Sequence, residues 1–129
     1  MPKTLEPPRP TDAELDILTV LWSRGPSTVR DVHQELVKRK STQYTTVLKL
    51  MQIMAEKGLV RRNEDQRAHV YEASRPREWT QRQLAGDLLQ RAFAGSAQRL
   101  MLGALSAKKA SKEDLAELRR LLDEYEEGK

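Results

Sequence analysis

The sequence contains no cysteine. That excludes a disulfide framework, a thiolate metal site and a cysteine nucleophile, and the chain is expected in the cytoplasm. Aromatic residues are scarce: one Phe, two Trp and three Tyr in 129 residues. A core must therefore come mainly from Leu, Val, Ile and Met. The longest unbroken apolar or glycine run, Leu100 to Leu105, falls far short of the ~18 residues of a membrane-spanning helix. The six glycines are scattered singly, so none forms a phosphate-cradling loop. No HExxH and no Ser/His/Asp set in motif context is present, so no catalytic residue, no cofactor and no enzymatic activity are expected. The two histidines, His33 and His69, lack cysteine or clustered carboxylates beside them and read as structural, with no metal site. Of six prolines, four fall within residues 1–10, which read as a flexible arm without the apolar stretch of a secretory signal.

Charge is plentiful and unevenly placed. The whole chain carries 23 basic and 19 acidic side chains, a net +4. Between Arg24 and Arg77 there are 12 basic and six acidic residues, a surplus of +6, whereas residues 111–129 hold four basic and seven acidic, a balance of −3. A basic middle and an acidic end imply an anionic partner for the middle and another role for the end.

Periodicity divides the chain. Thr11 with Glu14 forms a capping box, and Leu15, Leu18 and Leu21 or Trp22 recur at helical spacing until Gly25-Pro26, which predicts a helix over 12–23. Thr28 with Asp31 opens a second helix, whose expected buried stripe is Val29, Val32, Leu36 and Val37 and whose last turn is expected to carry Lys38, Arg39 and Lys40. A third helix runs from Tyr44 to Lys57, closed by Gly58, with Val47, Leu50, Met51 and Met54 inward. Its opposite face carries Thr45, Lys49, Gln52 and Glu56, hydrogen-bonding groups suited to base edges and phosphates. The period then changes to two. Leu59 to Arg62 and Ala68 to Glu72 are strand candidates around the polar turn Asn63 to Arg67.

The expected fold is therefore mainly α: an N-terminal winged helix-turn-helix with a short β-hairpin wing over 11–76, then a three-helix C-terminal dimerisation domain over 77–129. Helices are expected from Glu78 to Ala94, from Ser96 to Leu105 and from Ser111 onward. Three amphipathic helices in about 50 residues bury too little surface alone, so they are expected to complete a core against a second copy. Leu84, Leu88, Leu100, Met101, Leu105, Leu115, Leu118 and Leu122 are the candidate dimer contacts. Arg61, Arg62 and Arg67 on the wing are candidate phosphate contacts, as are Lys38, Arg39 and Lys40. A rival reading is a winged helix that binds protein, since the fold does not oblige DNA binding. The acid-poor face of the third helix beside a basic wing favours nucleic acid.

The run Tyr44-Thr45-Thr46-Val47-Leu48-Lys49, followed by Glu56-Lys57-Gly58-Leu59-Val60 and by Arg67-Ala68-His69-Val70-Tyr71, resembles the BlaI/MecI penicillinase and methicillin-resistance repressors, with which the copper-responsive CopY repressors are grouped. Glu14-Leu15-Asp16-Ile17-Leu18, Trp22 and Leu118-Arg119-Arg120-Leu121-Leu122 extend the match over nearly all of the chain after residue 10. The resemblance implies a homodimeric transcriptional repressor that binds a double-stranded operator of dyad symmetry through its third helix. It places DNA-reading residues at Gln43, Thr45, Thr46 and Lys49, and it puts Ile53 where many relatives have Arg. It also implies a membrane-bound sensor protease as a partner. The Asn-Phe pair cleaved in the penicillinase and methicillin repressors aligns with Gly103-Ala104 here. A copper-thiolate switch is ruled out by the absence of cysteine.

Overall fold

Thr11 opens the first helix. Its hydroxyl accepts the Glu14 N–H at 3.2 Å while its own N–H donates to Glu14 Oε1 at 2.9 Å, and this reciprocal cap starts α1 (Asp12–Arg24). Such caps contribute about 1 kcal/mol each. Thr28 and Asp31 repeat the device at 3.1 Å in both directions to start α2 (Val29–Leu36). The computed structural model describes residues 9–65 and 67–128. All but the last two residues of the expected N-terminal arm lie outside that range.

Two expectations for α2 need correction. The helix ends at Leu36, so Lys38, Arg39 and Lys40 lie in the following turn and not in its last turn. The Leu36 carbonyl receives both the Arg39 and the Lys40 N–H, at 3.0 and 3.1 Å, which folds the chain out of helical register. Val37 is consequently 45% exposed and forms no part of the buried stripe.

The third helix, α3 (Tyr44–Lys57), follows its predicted bounds, although Leu50 is only half-buried. Gly58 stops it with φ of 84°, a left-handed conformation that costs a residue without Cβ least, and the Leu59 N–H returns to the Met54 carbonyl at 2.9 Å. The chain then enters β1 (Val60–Asn63), which pairs antiparallel with β2 (Val70–Ala73) in the register Val60↔Ala73 to Asn63↔Val70. Ala68 and His69 precede the second strand rather than opening it. Ser27 adds a one-residue third strand: its N–H and carbonyl bond to the Tyr71 carbonyl and N–H at 2.9 and 2.8 Å. This bridge ties the wing to the α1–α2 connection and buries Tyr71 in a core with Ile17, Leu18, Val32, Val47, Met51 and Met54.

One charge sits inside this domain. Glu14 is only 2% exposed, and its Oε2 accepts a hydrogen bond from Lys57 Nζ at 2.7 Å, joining the start of α1 to the end of α3. Burial acts to raise the Glu14 pKa, but the bonds from Lys57 and Thr11 outweigh it and hold the carboxyl below its ordinary 4.5.

The fourth helix, α4 (Arg77–Ala92), is anchored at its start: Trp22 Nε1 donates to the Arg75 carbonyl at 3.0 Å, Arg77 reaches Ser23 Oγ at 3.2 Å, and Thr80 is buried. The chain divides into two compact units, the first ending at Leu84 and the second beginning at Ala85. In the second lie α5 (Ala97–Ala107), capped by Ser96, and α6 (Lys112–Glu126), capped by Ser111. No side chain of α5 or α6 is buried in the single chain. Leu100, Leu115 and Leu118 are half-buried, whereas Leu88, Met101, Leu105, Leu122 and Tyr125 are exposed. Close packing inside this unit occurs at Gly103, where a Cβ would stand 3.4 Å from the Phe93 ring. No helix among the described residues is long and apolar enough to cross a membrane.

Candidate nucleic-acid interface

The inward stripe of α3 is consumed by the core, which dictates what its other side presents. Gln43, Thr45, Thr46, Lys49 and Gln52 are all exposed, and no carboxylate precedes Glu56 on the helix. Ile53 is half-buried and offers no polar group. Gln43 is the residue preceding α3 and makes no side-chain cap bond. The start of the helix is instead held from α2: His33 donates Nε2–H to the Thr42 carbonyl at 3.0 Å and meets the Tyr44 ring edge-on, with centroids 5.8 Å apart. Sequence reasoning gave His33 only a general structural role. Its reach across nine residues to a loop carbonyl has no local signature.

The basic residues around α3 fall into two groups. Lys38 pairs with Glu35 at 3.1 Å, Lys40 with Asp16 at 2.6 Å, Arg61 with its cross-strand neighbour Glu72 at 3.1 Å and Arg62 with Glu64 at 2.5 Å. Hydrogen bonds to Tyr71 and then to Glu64 push the Arg62 pKa above its ordinary value, so its charge is permanent. Arg39, Lys49 and Arg67, together with Arg30 on the first turn of α2, carry no ion pair among the described residues. The paired cations are not lost to an anionic ligand. An exposed ion pair is worth about 0–1 kcal/mol, and exchanging a carboxylate for a phosphate also releases counterions from the nucleic acid.

Between α3 and the wing runs an open cleft of about 580 Å³. The walls bring together Gln52, Arg62 and Arg67, candidate DNA contacts from the sequence, with Arg30 and Tyr44, which were not candidates, and His69, which had read as structural. The signal for Arg30 was present in the Thr28–Asp31 cap, which fixes it on the first turn of α2. Lys38, Arg39 and Lys40 do not line this cleft. They flank a separate part of the surface, where Lys38 and Arg39 border α1 beside Arg24. No group of three or more His, Asp or Glu side chains among the described residues is placed to hold a metal ion.

Such an arrangement, a helix with an acid-poor polar face beside an arginine-bearing hairpin, can dock on a polyanion and hydrogen-bond to groups between its charges. Similarity to known proteins points the same way. A family model described as penicillinase repressor matches residues 10–124. The chain is 38% identical over 119 residues to a protein named transcriptional regulator BlaI from Mycobacterium tuberculosis, covering 91% of this chain and 85% of that one. It is 24% identical over 122 residues to the penicillinase repressor of Bacillus licheniformis, covering 95% of each. With a match that runs from the residue before the α1 cap to near the end of α6, the chain belongs to the penicillinase repressor family.

Proposed function

We propose that the chain is a transcriptional repressor that binds a dyad-symmetric DNA operator as a homodimer and blocks access to a promoter. The observation that carries this reading is the exposed face formed by Gln43, Thr45, Thr46, Lys49 and Gln52, free of acid until Glu56, beside the wing arginines. An α-helix fits the major groove of B-form DNA, where Gln and Lys can read base edges and Thr can meet either an edge or a thymine methyl. Arg61, Arg62 and Arg67 on the hairpin, and Lys38, Arg39 and Lys40 in the turn after α2, supply phosphate contacts that set orientation. Two copies related by a dyad place two α3 helices in successive major grooves, about 10 bp apart or a multiple of that.

The second unit supports the dimer. Leu88, Met101, Leu105, Leu122 and Tyr125 are exposed in the single chain, more apolar surface than so small a unit leaves uncovered without a partner. Residues 11–76 are thus assigned to DNA and 77–129 to self-association, with 1–10 as an arm. Family resemblance adds a membrane-bound sensor protease for relief of repression. The Gly103-Ala104 peptide lies in mid-α5, and Gly103 abuts Phe93.

Selection of bound duplexes from a random pool, followed by titration at two salt concentrations, tests the reading. The expected result is an enriched inverted repeat whose affinity falls steeply with salt. Absence of enrichment with salt-independent retention would favour the protein-binding winged helix instead.

A further inference from the structure

The cleft between α3 and the wing gathers cationic groups that the site read from the sequence did not include. Arg30 enters from α2, Arg62 from β1, and Arg67 and His69 from the segment between the strands, over an apolar floor that includes Leu48 and Tyr71. No carboxylate lines it. Arg30 and Arg67 make no ion pair among the described residues. Three separate elements thus point cationic groups into one trough whose base is suited to a deoxyribose and whose rim is suited to phosphates.

Geometry says what fills such a trough. A helix lying in a major groove and a hairpin over the adjoining minor groove are separated by the single sugar-phosphate strand that divides the two grooves. We propose that this cleft seats that strand, that Arg30 and His69 are phosphate contacts additional to the wing arginines, and that the arriving phosphate draws a proton onto His69. The proposal rests on the DNA-binding reading above and deepens it: operator binding becomes coupled to proton uptake.

Imidazole is the one side chain that ordinarily changes charge between about pH 5 and 8. The charged and polar groups lining the cleft together with His69 include Arg30 from α2, Tyr44 and Gln52 from α3, Arg62 from β1, itself paired with Glu64, Arg67 from the wing turn and Tyr71 from β2. Arginine as a side-chain type ordinarily stays cationic and tyrosine neutral across that range, which leaves imidazole as the side-chain type in this lining able to gain a proton there. The other histidine, His33, faces the Thr42 carbonyl and Tyr44 rather than the wing, and provides an internal control.

The test uses the full chain with two probes, a duplex selected from a random pool and a duplex of random sequence, titrated at constant ionic strength from about pH 8 to about pH 6. Wild-type affinity should rise by about fivefold for both probes, an average uptake of about a third of a proton over that range. His69→Gln, at an exposed position that should leave the melting temperature unchanged, should flatten that dependence, while His33→Gln should retain it. Arg30→Gln should weaken both probes alike and lower the salt slope by about one. An unaltered pH dependence in His69→Gln, or an unaltered salt slope in Arg30→Gln, overturns the proposal while leaving the DNA reading intact. Failure of the wild type to bind either duplex overturns the DNA reading itself, and this inference with it.

Discussion

Replacing Lys57 by Met tests the internal architecture that holds α3 in place. Glu14 is 2% exposed and Lys57 is 31% exposed, so the pair is buried on the carboxylate side and reachable by water on the ammonium side. Removing one member of a fully buried pair costs about 3–5 kcal/mol. With water able to approach from the Lys57 side and the Thr11 N–H still donating to Glu14 at 2.9 Å, about 2–3 kcal/mol is expected here. Against a total stability of about 5–15 kcal/mol this is a large loss, and thermal unfolding should shift down by roughly 10 °C. The double variant Glu14→Met/Lys57→Met removes the stranded charge along with half of the capping box. It should lose only about 1 kcal/mol, and so be more stable than Lys57→Met alone. The pH dependence supplies a sign. In the wild type the Glu14 pKa is lowered, so its contribution is present above the ordinary 4.5 and fades as pH falls through the lower folded value. In Lys57→Met, burial acts with less opposition and raises the pKa, so protonation relieves the defect and the deficit shrinks as pH falls from neutrality. Circular-dichroism melts at fixed protein concentration measure both effects. A Lys57→Met loss below about 0.5 kcal/mol, or a deficit that grows on acidification, would refute a buried carboxylate dependent on this lysine.

Two further outcomes concern association and DNA. Leu105→Asp combined with Leu122→Asp alters side chains that are already exposed in the single chain, so the winged helix should still melt cooperatively while sedimentation shows a monomer. Placing charge where two leucines per copy would be buried should weaken dimerisation by at least about a hundredfold, and a dimer of wild-type affinity would remove this face from the interface. Lys49→Ala should weaken binding to a selected duplex by about 1–3 kcal/mol. Equal loss on random duplex with a smaller salt slope assigns Lys49 to phosphate, loss confined to the selected duplex assigns it to a base, and no loss on either removes it from the site.

Much of the first domain was legible because its determinants are local. The caps Thr11/Glu14 and Thr28/Asp31, the stop at Gly58 and the change of period after it place α1, the start of α2, α3 and the hairpin to within about two residues. What the sequence did not disclose depends on distant partners. Lys40 finds Asp16 across 24 residues and Lys57 finds Glu14 across 43, so basic side chains counted as a surplus are partly neutralised in the fold. Ser27 becomes a strand only because Tyr71 is beside it, and no periodicity can reveal a strand of one residue. Val37 continued the apolar pattern of α2, yet the turn at Leu36 carries it into solvent. At the candidate interface, the residues of α3 could be read from one helix face, whereas Arg30 and His69 come to line the cleft only through the packing of α2 and the wing around it. The C-terminal stripes were legible as amphipathic, and several of their apolar side chains, among them Met101, Leu105 and Leu122, are exposed in the single chain.

In the proposed complex two α3 helices on one dimer read two DNA half-sites. The most direct test inserts about 5 bp, half a helical turn, between the halves of the selected inverted repeat and compares the affinity with that of the unaltered duplex. The half-sites then face opposite sides of the DNA. A rigid dimer should lose its affinity down to the level of a single half-site, with recovery when about 10 bp are inserted only to the extent that the dimer can span the added turn. Affinity unchanged by the half-turn insertion would contradict the account.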